Sequence, residues 1–130
     1  MKNTTQQWAV SLFAISGAFI LCGIGGAGIA HLLGQWETPL AGFSAAFGVV
    51  SMAYLSAPGW NKRFAIAVFF LGAVCAWFFI GSSWYPEPHL EKGHHHTYLP
   101  YIVTLAGGLV PLAVIFLPRN HNEIDRIDNP

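Results

Sequence analysis

The sequence predicts an all-α protein: an integral membrane bundle of four transmembrane helices joined by short loops. Three observations carry that expectation. Of the 130 residues, 54 % are hydrophobic and only 9 % charged, whereas a soluble domain carries about 25 % charged residues. Four charge-poor apolar segments each approach the roughly 20 residues needed to cross about 30 Å of hydrocarbon. Turn-forming residues punctuate the joints between them, at Thr38-Pro39, Ala57-Pro58-Gly59, the stretch from Trp84 to Pro88, and Pro118.

The expected spans cover residues 8–33, 40–57, 64–81 and 98–117, and the chain is one domain with a polar tail over 118–130. Lys2 ahead of an apolar stretch also suits a signal peptide. However, the first apolar run far exceeds the 7–15 residues of a signal core, so it reads as a span. With four crossings, the N-terminus, the second connection and the C-terminus share a side. That side carries Lys2, Lys62, Arg63, Arg119 and Arg126, and the other side only Lys92. Short loops rich in Lys and Arg stay cytoplasmic. Both termini are therefore expected in the cytoplasm of a multi-pass protein, in the setting of a bacterial inner membrane. Trp36, Trp84, Tyr85, Tyr98 and Tyr101 fall at the outer ends and Trp8 and Trp60 at the inner ends, where amphipathic rings favour the headgroup level.

Within the first span, small residues recur every fourth position: Ala14, Ala18, Cys22, Gly26, Ala30 and Gly34. Lipid gives no hydrophobic reward for pairing helices, so association depends on close backbone approach at such residues. Ala18, Cys22, Gly26 and Ala30 are the expected helix-packing positions. They serve either the first two helices of this bundle or a surface for another protein or flat cofactor. The second span repeats the spacing in Ala41–Ala45 and Ser44–Gly48, while Phe64, Phe69, Phe70, Trp77, Phe78 and Phe79 make the third bulky. The string from Gly23 to Gly28 resembles the glycine-rich helix of rotary ATPase ring subunits over those few residues. That family's proton carriage requires a membrane carboxylate, and the expected spans contain no Asp or Glu.

Transporters and proton relays place charge inside the membrane, but His31 is the only ionisable side chain of that sort in the expected spans. It suits either a histidine satisfied at the interface or a ligand or quinone contact. Haem held by two histidines would need a second histidine in the other spans, and none is there. Pro111, one turn beyond Gly107 and Gly108, is positioned to kink the fourth span. The two cysteines, Cys22 and Cys75, sit in apolar runs as small core residues.

The third connection holds Glu87, His89, Glu91, His94, His95 and His96. Histidine with carboxylate is a donor set for zinc or copper(II), so His89, His94, His95 and His96 are the candidate metal ligands. No helical i, i+4 pair or Cys-x-x-Cys fixes a geometry, and a solvated loop or a pH-responsive partner contact are the alternative readings. Imidazole titrates at about pH 6.5. The tail should fray unless a partner holds it.

Together these features point to a non-catalytic accessory subunit of a larger membrane complex, with respiratory or photosynthetic energy transduction as the expected setting. Its partners would be the lipid bilayer and larger membrane subunits, with no nucleic acid, since the net charge is zero. A metal-handling protein using the outward histidine loop, and a small oligomeric transporter or channel, are the alternatives.

Overall fold

The computed structural model describes residues 4–59, 61–85 and 95–117. Four helices follow in order: α1 (Thr4–Leu32), α2 (Glu37–Ser56), α3 (Asn61–Ile80) and α4 (Leu99–Phe116). All four are long and apolar enough to cross a membrane. Each begins or ends within a few residues of the expected span, and the differences have local causes.

Proline starts two of the helices instead of separating them from what precedes. Pro39 lies in the first turn of α2 and Pro100 at the start of α4. The first N–H groups of a helix have no intrahelical acceptor, so proline's missing donor costs nothing there. Gly34 does not extend the small row of α1 but ends the helix. Its φ is +63°, Gln35 N–H donates to Ala30 O at 2.9 Å, and Gly34 N–H donates to His31 O at 3.1 Å. That is the paired bonding of a Schellman cap, where a left-handed glycine satisfies carbonyls the helix leaves unpaired. Gly59, with φ +84° after Pro58, turns the chain from α2 into α3.

The helices run up and down. Ser11 near the start of α1 meets Ser56 at the end of α2, their hydroxyl oxygens 2.8 Å apart. Trp8 packs edge-on against Phe64 at 5.1 Å, and Lys62 sits over the Phe116 ring at 5.4 Å. The start of α1, the α2–α3 turn and the end of α4 therefore share one end of the bundle, the terminal end. At the opposite end Trp77 of α3 stacks on Tyr98 at 6.2 Å and meets Tyr101 edge-on at 5.2 Å. There the third connection forms a small antiparallel ribbon, β1 (Ser83–Tyr85) with β2 (His95–Thr97), pairing Ser83 with Thr97, Trp84 with His96 and Tyr85 with His95. The connection that reads as an exposed loop in the sequence has paired strands at its ends.

Helix α2 is the hub, in contact with α1, α3 and α4. The interior it organises is made of small side chains. Buried positions are Ser11, Gly26 and Ala30 on α1, Ala45, Gly48, Val50 and Ala53 on α2, Ala65 on α3, and Pro100, Gly107, Gly108 and Pro111 on α4. The bulky apolar side chains point outward: Phe13, Phe78 and Phe79 are each at least 80 % exposed. In water such a surface would drive association. In a bilayer it meets lipid, so contact with the bilayer follows from composition and arrangement together.

Candidate functional site

Close approach between helices decides where the chain has room for anything else. On the α1–α2 seam, a Cβ added at Gly26 would collide with the Ser44 hydroxyl and lie 2.7 Å from Leu40 O, and one at Gly48 would lie 2.5 Å from Cys22 Sγ and 3.4 Å from Ala18 O. Ser44 Oγ lies 2.8 Å from Cys22 O across the seam and 2.7 Å from Leu40 O in its own helix. Its one hydroxyl proton serves these acceptors alternately. At Ser11–Ser56 the roles are separable. Ser56 Oγ donates to Met52 O at 2.6 Å, which leaves Ser11 O–H to donate to Ser56. Ser11 is thereby satisfied although it is fully buried.

Of the residues singled out for helix packing, Ala18, Cys22 and Gly26 lie along α1 where it meets α2, Cys22 is half-buried, and Ala30 is fully buried. A second close seam joins α4 to its neighbours. A Cβ at Gly107 would strike the Phe43 backbone, and one at Gly108 would lie 2.6 Å from the Phe69 ring; Gly42 is equally tight against Thr104. This seam carries the same four-residue spacing, in Pro100–Thr104–Gly108 and in Gly107–Pro111, although Gly107, Gly108 and Pro111 read in the sequence only as a kink. The signal was the face formed by Pro100, Thr104, Gly107, Gly108 and Pro111, all short or ring-closed side chains within three turns.

Between α1 and α3 the packing is different. The two helices meet at the terminal end through Trp8 and Phe64. Beyond that contact they flank a cleft of about 780 Å³ with α2 as its floor. Phe19, Ile24 and Ala27 line it from α1, Ala41 and Ala45 from α2, and Gly72 and Phe79 from α3. Small-molecule sites usually have volumes of about 300–1,000 Å³ and are mostly apolar with few polar groups. Here Glu37 and Thr38 are the polar residues at the ribbon end, and Thr104, whose hydroxyl donates to Pro100 O at 2.7 Å, lies deeper.

At that ribbon end His31 Nδ1 lies 2.7 Å from Glu37 Oε1, the two side chains 77 % and 52 % exposed. The pair spans the α1–α2 turn and places a carboxylate beside the mouth of the cleft. Glu37 opens α2, where the helix dipole favours negative charge. The sequence places Glu37 close to His31 in the connection before a span starting at Leu40; the helix itself starts at Glu37.

Of the proposed metal ligands, His95 and His96 lie on β2, with the His96 side chain exposed. His89 and His94, with Glu87 and Glu91, lie outside the described residues, as does the tail over 118–130. Among the described residues no three His, Cys, Asp or Glu side chains come together. Comparison with protein-family models, curated proteins and solved structures gives no match.

Proposed function

We propose that the chain is a non-catalytic accessory subunit of a larger membrane complex, of the energy-transducing kind, in a bacterial inner membrane. The observation that carries the reading is the distribution of polarity in the spans. Among the described residues, His31, Glu37, Lys62 and Arg63 all lie near helix ends, and none lies in the middle of a span. A proton or substrate path would place such groups at depth. The bulky outward faces of α1 and α3 suit contact with lipid and with larger subunits. α1 packs on α2 and meets α3 through Trp8, so most of its circumference is free for that purpose.

Both termini are assigned to the cytoplasm on the Lys and Arg count, with Lys62 and Arg63 at the terminal end of the bundle. Purification from native expression in mild detergent tests the subunit reading. Stoichiometric co-purification of a larger membrane protein is the expected result and identifies the host. Recovery of the chain alone, at every detergent concentration that keeps it folded, would contradict it. A thiol-specific reagent applied from outside should label a cysteine placed at Gln35 and spare one at Asn61; the reverse pattern would invert the topology.

A further inference from the structure

We propose that the α1–α3 cleft holds one chain of an amine-headed phospholipid, such as phosphatidylethanolamine, with its headgroup at Glu37. The cleft has the length of one lipid tail. The lining runs from Thr38 to Val50 on α2 and from Ile80 to Val68 on α3, twelve steps along each helix, or about 18 Å at 1.5 Å per residue. One leaflet's hydrocarbon is about 15 Å deep, half of the bilayer's roughly 30 Å. The cleft therefore reaches from one interface to just past the midplane, the depth of a single lipid tail. A partner's spanning helix would need a groove along the full height, and this one is shut at the terminal end by Trp8 against Phe64.

The cleft also has the charge that suits an amine headgroup. Among the described residues lining the cleft, Glu37 is the only Asp, Glu, Lys, Arg or His. An anionic glycerol headgroup would meet a carboxylate with no Lys or Arg among the described lining residues to offset it. An ammonium supplies donors to that carboxylate, whose Oε1 already engages His31. Thr38 adds a neutral polar side chain at the same level. The walls are smooth because the floor residues Ala41, Gly42, Ala45 and Ala46 are small, so a flexible chain can lie against the α2 backbone.

This proposal concerns the isolated chain and does not rest on any host complex. Purified protein in mild detergent is mixed with equal amounts of phosphatidylethanolamine and phosphatidylglycerol, and retained lipid is counted by native mass spectrometry. The expected result is one phosphatidylethanolamine per chain, favoured by roughly fivefold or more over phosphatidylglycerol. Gly72→Leu should reduce retention by about the same factor. A Cβ at Gly72 meets nothing within 4 Å, so the substitution fills the cleft without straining the bundle. Cys75→Phe is a second, independent filling change at an exposed lining position. Gly25→Leu, outside the lining and equally unobstructed, should retain lipid as the wild type does. Glu37→Gln should keep the lipid and lose the headgroup preference. Equal retention of both lipids by the wild type would overturn the proposal, as would undiminished retention by both filling variants. A dimer that either filling variant dissociates would also overturn it, because a second copy would then occupy the cleft.

Discussion

The two sides of α1 met by its neighbours differ in one respect, side-chain size, and everything else about them follows. Toward α2, the row containing Ala18, Cys22 and Gly26 lets backbones approach until Ser44 can reach Cys22 O. Toward α3, Phe19, Ile20 and Ile24 on one wall and Val68 and Phe79 on the other flank an open cleft over a small-residue floor. Side chains that seal a soluble core thus open a gap here, and side chains too small to fill a soluble core close the seam. In lipid, dispersion and interhelical hydrogen bonds decide association, and both require close approach.

That contrast breaks first at the glycines. Gly26→Leu and Gly107→Leu should each cost about 3 kcal/mol or more, because backbone oxygens at Leu40 and Phe43 stand where the new side chain begins. Loss of the compact species in native gels and in thermal unfolding would register it. Phe70→Leu, on a side chain 63 % exposed, should change either measurement by less than about 0.5 kcal/mol. Equal damage from Phe70→Leu would mean that the bulky face, and not the small row, holds the bundle.

A smaller effect is expected at the hydroxyls. Ser11→Ala removes the donor to Ser56 and should destabilise by about 1 kcal/mol, as interhelical hydrogen bonds in membranes do. Ser44→Ala should cost less than that, because Cys22 O keeps its helical partner and no buried donor is stranded. A Ser44→Ala loss larger than that of Ser11→Ala would reverse this order. At the gap the effect on stability should vanish: Gly72→Leu should leave thermal unfolding within about 0.5 kcal/mol of wild type.

Which of these features the sequence discloses depends on whether one helix suffices to define them. Span existence needs only hydropathy and length, and the small row of α1 needs only a spacing, so both are legible. Pairing between helices is not. Nothing in the string says that Gly107 faces Phe43 or that Phe69 fills the notch at Gly108, since those contacts join residues far apart in the chain. Gly34 continues the four-residue spacing yet lies past the helix end, because a spacing cannot sense the sign of φ. The ribbon was hidden by prolines: Pro86 and Pro88 mark a loop, while the paired segments Ser83–Tyr85 and His95–Thr97 are too short for an alternation to register. Glu37 reads as a connection residue beside His31 for a related reason, since Pro39 marks a boundary in the sequence and is instead part of the first turn.

The native cysteines allow the most direct measurement, one on each side of the comparison. Cys22 faces Gly48, whose added Cβ would lie 3.1 Å from Cys22 Cβ, while Ile24 of α1 and Cys75 of α3 both line the cleft. With Cys75 replaced by Ala, a Gly48→Cys change should cross-link to Cys22 under mild oxidant, since a few tenths of an ångström of helix separation brings the two Cβ atoms into the roughly 3.5–4.5 Å range of a disulfide. With Cys22 replaced by Ala, Ile24→Cys should not cross-link to Cys75 under the same conditions. A bond on the seam and none across the gap is the predicted result. Efficient cross-linking of Ile24→Cys to Cys75, or failure at Cys22 and Gly48→Cys, would contradict the arrangement of a closed seam beside an open cleft.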